Sequence, residues 1–123
     1  MRPDCELLNN RTAWRLSMPQ CCMVFPQKDR CLDIHEIERR SACSTRWMHR
    51  SNYLLLCRRC HRLMGTAAWP HARQLALKLR RDPKHYDLDA WLRLADPELK
   101  APGRVTQAEV DQWVERDKET LEL

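Results

Sequence analysis

The chain has 123 residues, 43% hydrophobic and 32% charged, which suits one modest core and argues against global disorder. Its two glycines, Gly65 and Gly103, exclude a glycine-rich phosphate loop or dinucleotide fingerprint. The net charge of +5 is unevenly spread: residues 44–81 carry nine basic and no acidic side chains, whereas residues 82–123 carry six basic and eleven acidic. A carboxylate-free middle third is the footprint of a polyanion partner, with a solvated basic face as the plainer alternative. The longest apolar run, residues 53–57, is far short of the roughly 20 residues that span a bilayer. The first residues hold no apolar stretch of signal-peptide length, so a cytoplasmic location away from membranes is expected.

Near the N-terminus only Trp14 and Leu16 suggest an apolar anchor. Residues 31–37 alternate, with Leu32, Ile34 and Glu36 on one side and Asp33, His35 and Ile37 on the other, which predicts a short strand. Tyr53-Leu54-Leu55-Leu56 reads as a strand or the start of a helix. Residues 57–64 predict a helix ended by a glycine cap at Gly65. Residues 74–81 are rich in helix formers and stop at Asp82-Pro83, although leucines 75, 77 and 79 also alternate as in a strand. Leu88, Trp91, Leu92 and Ala95 follow a helical stripe that ends at Asp96-Pro97. Residues 101–103 make a turn. Thr106 to Glu109 is a capping box that opens a last helix with Val110, Trp113 and Val114 on one face.

Seven cysteines are many for this length, and an odd number without an export signal favours metal binding over disulfides. Cys57-Arg58-Arg59-Cys60 is the strongest local signal, because two thiolates two residues apart grip one tetrahedral zinc from a tight turn. Its partners must come from elsewhere, with Cys21, Cys22, Cys31 and Cys43 as candidates. The competing reading is a pair of free cysteines on a buried turn.

Cys60 is followed directly by His61, Asn52 precedes the leucine run, and Asp33-Ile34-His35-Glu36-Ile37 lies upstream. In these residues the chain resembles the HNH endonucleases, the ββα-metal nucleases, and looks like their small stand-alone phage and bacterial members. The resemblance covers about residues 21–66 and implies an α+β fold, a zinc-stapled ββα-metal core with helical N- and C-terminal extensions. Residues 1–68 would form the core and 69–123 a helical extension packed on it. It further implies that His35 and His61 hold a catalytic divalent metal (Mg, Mn or Ni), that Asn52 braces the loop, and that Cys57 and Cys60 belong to a structural zinc site. Cys22 would join them, with Cys31 or Cys21 as the fourth ligand, or the site is a three-cysteine one or lost.

Where the family usually has a water-activating histidine, this chain has Glu36. A carboxylate is the weaker base at neutral pH. It would act either as base or as metal ligand with His35 as base, if a local distortion brings both neighbours to one site. Arg46, Arg50, Arg58, Arg59 and Arg62 surround the motif as phosphate contacts; His49 reads as a surface residue before a third ligand or a phosphate contact, and Asp33 as an ordinary strand residue before one that backs a metal ligand. The implied activity is metal-dependent hydrolysis of DNA phosphodiester bonds. The alternative is a zinc-stapled DNA-binding module without catalysis.

Overall fold

The computed structural model describes residues 11–18, 21–25, 32–40 and 49–121. Cys31, Cys43 and Arg46 lie outside the described residues. Within them the chain is a small mixed α+β protein with a two-stranded sheet and five α-helices. Residues 11–17 form α1. Strand β1 (Leu32–Glu36) and strand β2 (Tyr53–Cys57) follow, then α2 (Arg58–Leu63), α3 (His71–Arg81), α4 (Leu88–Ala95) and α5 (Gln107–Leu121). The strands are antiparallel, with Leu32 opposite Cys57, Ile34 opposite Leu55 and Glu36 opposite Tyr53. Strand β1 forms on the alternating residues 32–36, and the leucine run, buried throughout, pairs with it as a strand and not a helix.

Strand β2 is buried throughout. Its free edge is capped from two directions. The Met23 amide donates to the Leu55 carbonyl (2.9 Å), and the Lys78 ammonium donates to the Tyr53 carbonyl (2.8 Å). Donors that cover a lone strand edge, here one backbone amide and one side chain, spare it unpaired backbone groups. Helix α1 buries Trp14, and Met18 just beyond its end is buried too, whereas Leu16 is 79% exposed. The expected anchor thus holds for Trp14 and fails for Leu16, which sits on the opposite side of the helix.

The Trp14 ring lies 5.3 Å from that of Tyr53, and its indole N–H donates to Asp82 (2.8 Å). Asp82 also accepts from buried Lys78 (2.6 Å) and from His85 (2.8 Å). Burial pulls the Lys78 ammonium down to about 8 against the pull of Asp82. Burial pushes the Asp82 carboxyl up, but Lys78, Trp14 and His85 together hold it below its ordinary value.

Helix α2 ends without the glycine cap. Gly103, in the turn of residues 102–103, is the described glycine with positive φ (+69°), and Gly65 is not. Instead the Met64 amide bonds back to Cys60 and His61, the Gly65 amide to Arg62, and the Thr66 hydroxyl to the Leu63 carbonyl. Helix α3 starts at His71 behind Pro70, three residues before the expected point, and stops at Asp82. Helix α4 opens on an Asp87 cap to the Ala90 amide (3.0 Å) and buries Trp91 and Leu94, leaving Ala95 exposed. Leu88 and Leu92 of the expected stripe pack against the core beside Trp91, so the stripe holds except at Ala95. The capping box forms as expected: the Thr106 amide donates to Glu109 (3.2 Å) and the Glu109 amide to the Thr106 hydroxyl (3.2 Å). Arg73 fastens α5 to α3, donating twice to Asp117 (2.9 and 3.0 Å) while its guanidinium lies 4.0 Å from the Trp69 ring.

No helix among the described residues is long and apolar enough to cross a membrane.

Candidate metal centre and histidine pair

Cys57 ends β2 and Cys60 sits in the first turn of α2, so the C-x-x-C pair is carried on a strand-to-helix junction. The segment of residues 21–25 runs along the free edge of β2 and brings Cys22 to the same point. The sulfurs of Cys22, Cys57 and Cys60 lie within 4.8 Å of one another, and all three residues are buried. Burial pushes the Cys57 thiol up, but the amides of Cys60 and Arg59 and the sulfurs of Cys60 and Cys22 hold it below its ordinary value. Burial and the neighbouring sulfurs push Cys60 up. Amides aimed at a sulfur favour the thiolate, the form that binds metal. A buried set of three cysteine sulfurs fits a soft or borderline cation such as zinc. Cys21 is half-buried and does not join the three among the described residues.

The second constellation lies where β1 faces α2 and α3. Strand alternation puts Asp33 and His35 on one face of β1. The His35 ring stands 5.0 Å from that of His61 on α2, edge to face. His61 Nδ1 is 3.0 Å from Asp33 Oδ2, and His35 Nε2 is 2.7 Å from Gln74 Oε1 on α3. Burial lowers the His35 pKa from its ordinary value, with His61 adding to the fall and Gln74 and Glu36 opposing it. Burial therefore favours the neutral form of the His35 imidazole, whose unprotonated ring nitrogen can accept a proton or a cation.

Asn52 is fully buried and joins three segments. Its Oδ1 accepts from the Glu38 amide (2.7 Å) and the Trp91 indole (3.0 Å), its Nδ2 donates to the Glu38 carbonyl (3.3 Å), and its carbonyl accepts from the Ile37 amide (2.8 Å). It thereby ties the end of β1 to the entry of β2 and to α4.

Glu36 falls on the other face of β1. Its carboxylate bonds Arg40 (2.9 Å) and lies 3.9 Å from Arg11 of α1. The expected convergence of His35 and Glu36 requires a distorted strand, whereas β1 pairs regularly through Glu36 opposite Tyr53. His49 is a local cap: its Nδ1 accepts from the Ser51 amide (3.2 Å) and meets the Ser51 hydroxyl (2.8 Å). Arg58, Arg59 and Arg62 are exposed on α2, and Arg50 is exposed in the turn before β2.

Asp33, read from sequence as an ordinary strand residue before one behind a metal ligand, meets His61, and Gln74, for which the sequence raises no expectation at the site, meets His35. Asp33 was readable, being two residues from His35 on a strand. Gln74 carries only a faint signal, a polar residue beside the apolar run of residues 75–77.

Comparison with family models finds no match, and neither does comparison with curated proteins or with solved structures.

Proposed function

We propose that the chain is a metal-dependent endonuclease of the ββα-metal type, acting on DNA, with a structural zinc at the cysteine cluster. The observation that carries this reading is the histidine pair. One imidazole comes from the first strand and one from the helix that leaves the second, directly beyond the C-x-x-C turn. Two imidazoles in neighbouring positions on one divalent ion, with metal–nitrogen bonds of about 2.1 Å, have ring centres roughly 4.5–5 Å apart whether the geometry is octahedral or tetrahedral. The observed spacing of 5.0 Å meets that requirement.

His35 and His61 would hold the cation. Bound there, it would polarise the scissile phosphate and stabilise the departing 3′ oxygen. Magnesium, manganese and nickel are the candidates that the resemblance implies, and a donor pair of two imidazoles suits nickel best of the three, magnesium preferring oxygen ligands. Asn52 keeps β1 and β2 in register behind the pair. Arg50, Arg58, Arg59 and Arg62, with Arg46 beyond the described residues, would hold the phosphate backbone.

A second reading, a zinc-stapled DNA-binding module without catalysis, is favoured by Glu36. With its carboxylate engaged by Arg40 and Arg11, it is turned from the position of the usual base. Incubation of the purified chain with supercoiled plasmid in Mg²⁺, Mn²⁺ or Ni²⁺, with a chelator control, separates the two. Relaxed or linear product that the chelator abolishes supports the nuclease. Retarded but intact plasmid in every ion supports the binding module.

A further inference from the structure

The hydrogen bonds around the two histidines determine which nitrogen of each ring carries the proton. Asp33 is an acceptor when ionised, so the 3.0 Å contact with His61 Nδ1 requires a hydrogen on Nδ1. In the neutral ring, Nε2 is then the nitrogen with the lone pair. The Gln74 amide is oriented by two bonds from Nε2, to the carbonyls of Met64 (3.2 Å) and Trp69 (2.8 Å). Flipping the amide would face its oxygen against two carbonyls, so Oε1 must point at His35. His35 Nε2 then donates the 2.7 Å bond, and its Nδ1 keeps the lone pair. The two rings are thus held in opposite tautomers by partners from different elements, β1 and α3.

We propose that Asp33 and Gln74 are positioning residues that fix these tautomers, so that His61 Nε2 and His35 Nδ1 are the two nitrogens offered to a divalent cation. This inference rests on the metal-dependent reading above. A carboxylate or amide behind a metal-binding imidazole sets its ring orientation and raises its basicity, and losing such a partner costs about 10–100-fold in metal affinity. Asp33 and Gln74 stand in that relation to the pair. Helix α3 therefore contributes to the site from outside the motif.

The test uses the isotopically labelled, zinc-loaded full chain at about pH 8, well above the ordinary imidazole value. Long-range ¹H–¹⁵N correlation reads each tautomer, and Mn²⁺ titration reads affinity and the broadening of each ring. The wild type is expected to show the Nδ1–H form of His61 and the Nε2–H form of His35, with both rings broadened by Mn²⁺. Asp33 is half-exposed, so Asp33→Ala should fold. It is expected to move His61 toward Nε2–H and to weaken Mn²⁺ binding about 10–100-fold. Asp33→Asn, which keeps an acceptor oxygen, is expected to restore the tautomer. An Nε2–H His61 in the wild type, or Mn²⁺ affinity unchanged in Asp33→Ala, overturns the positioning role and leaves the nuclease reading standing. Correct tautomers with neither ring broadened by Mn²⁺ overturn both.

Discussion

Glu36 and His35 are neighbours in sequence, but strand geometry separates them. Glu36 stands opposite Tyr53 of β2 on the same face of the sheet and is engaged by Arg40 and Arg11. Glu36→Gln is therefore expected to leave plasmid cleavage within about threefold of wild type, whereas loss of a general base would cost about two to four powers of ten. Single-turnover nicking rates check this. Asp82 is the residue on which packing depends most. It is 5% exposed and accepts from Lys78, Trp14 and His85. Removing one partner of a buried ion pair leaves the other charge uncompensated, so Asp82→Asn should cost about 3–5 kcal/mol at neutral pH. The Asp82 carboxyl has a folded pKa below its ordinary value. Its stabilisation is complete above the unfolded carboxyl's pKa and is lost as pH falls through the folded value. Urea unfolding at a series of pH values should show the wild-type advantage over Asp82→Asn shrinking in acid.

At the scale of the element, periodicity was the readable signal. Residues 32–36 alternate and form β1, residues 107–121 open on a capping box and form α5, and Cys57 and Cys60 flag the junction of β2 and α2. What stayed hidden depends on contacts remote in sequence. Trp14 alone marks the buried face of α1, with Met18 buried just beyond the helix, and one residue cannot show a helical period. Lys78 reads as a surface residue until β2 supplies a carbonyl for its ammonium. Gln74 acquires its place only when α3 packs against β1. Helix α2 turns Cys60 inward and exposes Arg58, Arg59 and Arg62. Each phosphate neutralised by such a cation releases counterions. The double variant Arg58→Glu/Arg59→Glu is expected to flatten the salt dependence of DNA binding by about one to two units of slope. An unchanged slope, measured by fluorescence anisotropy, would move the DNA surface off α2.

The whole molecule is organised around the short sheet. Contacts cross residue 68 repeatedly, with Trp91 bonded to Asn52, Lys78 to Tyr53 and Gln74 to His35. The C-terminal helices thus complete the site as well as cover it. The cysteine cluster joins the segment of residues 21–25 to β2 and α2, where a metal would staple pieces distant in sequence. Purified protein is expected to hold about one zinc per chain. Cys57→Ser should release it and lower the melting temperature, as metal analysis beside calorimetry would show; a variant with unchanged zinc and melting would remove the cluster from the account. The central claim, that the histidine pair performs metal-dependent cleavage, is tested most directly by single-turnover nicking of supercoiled plasmid by wild type and His61→Ala in Mg²⁺, Mn²⁺ and Ni²⁺. The account predicts chelator-sensitive cleavage by wild type and a loss of about two powers of ten or more in His61→Ala, with DNA binding retained. Equal rates for the two proteins, or bound but uncut plasmid in every ion, would contradict it.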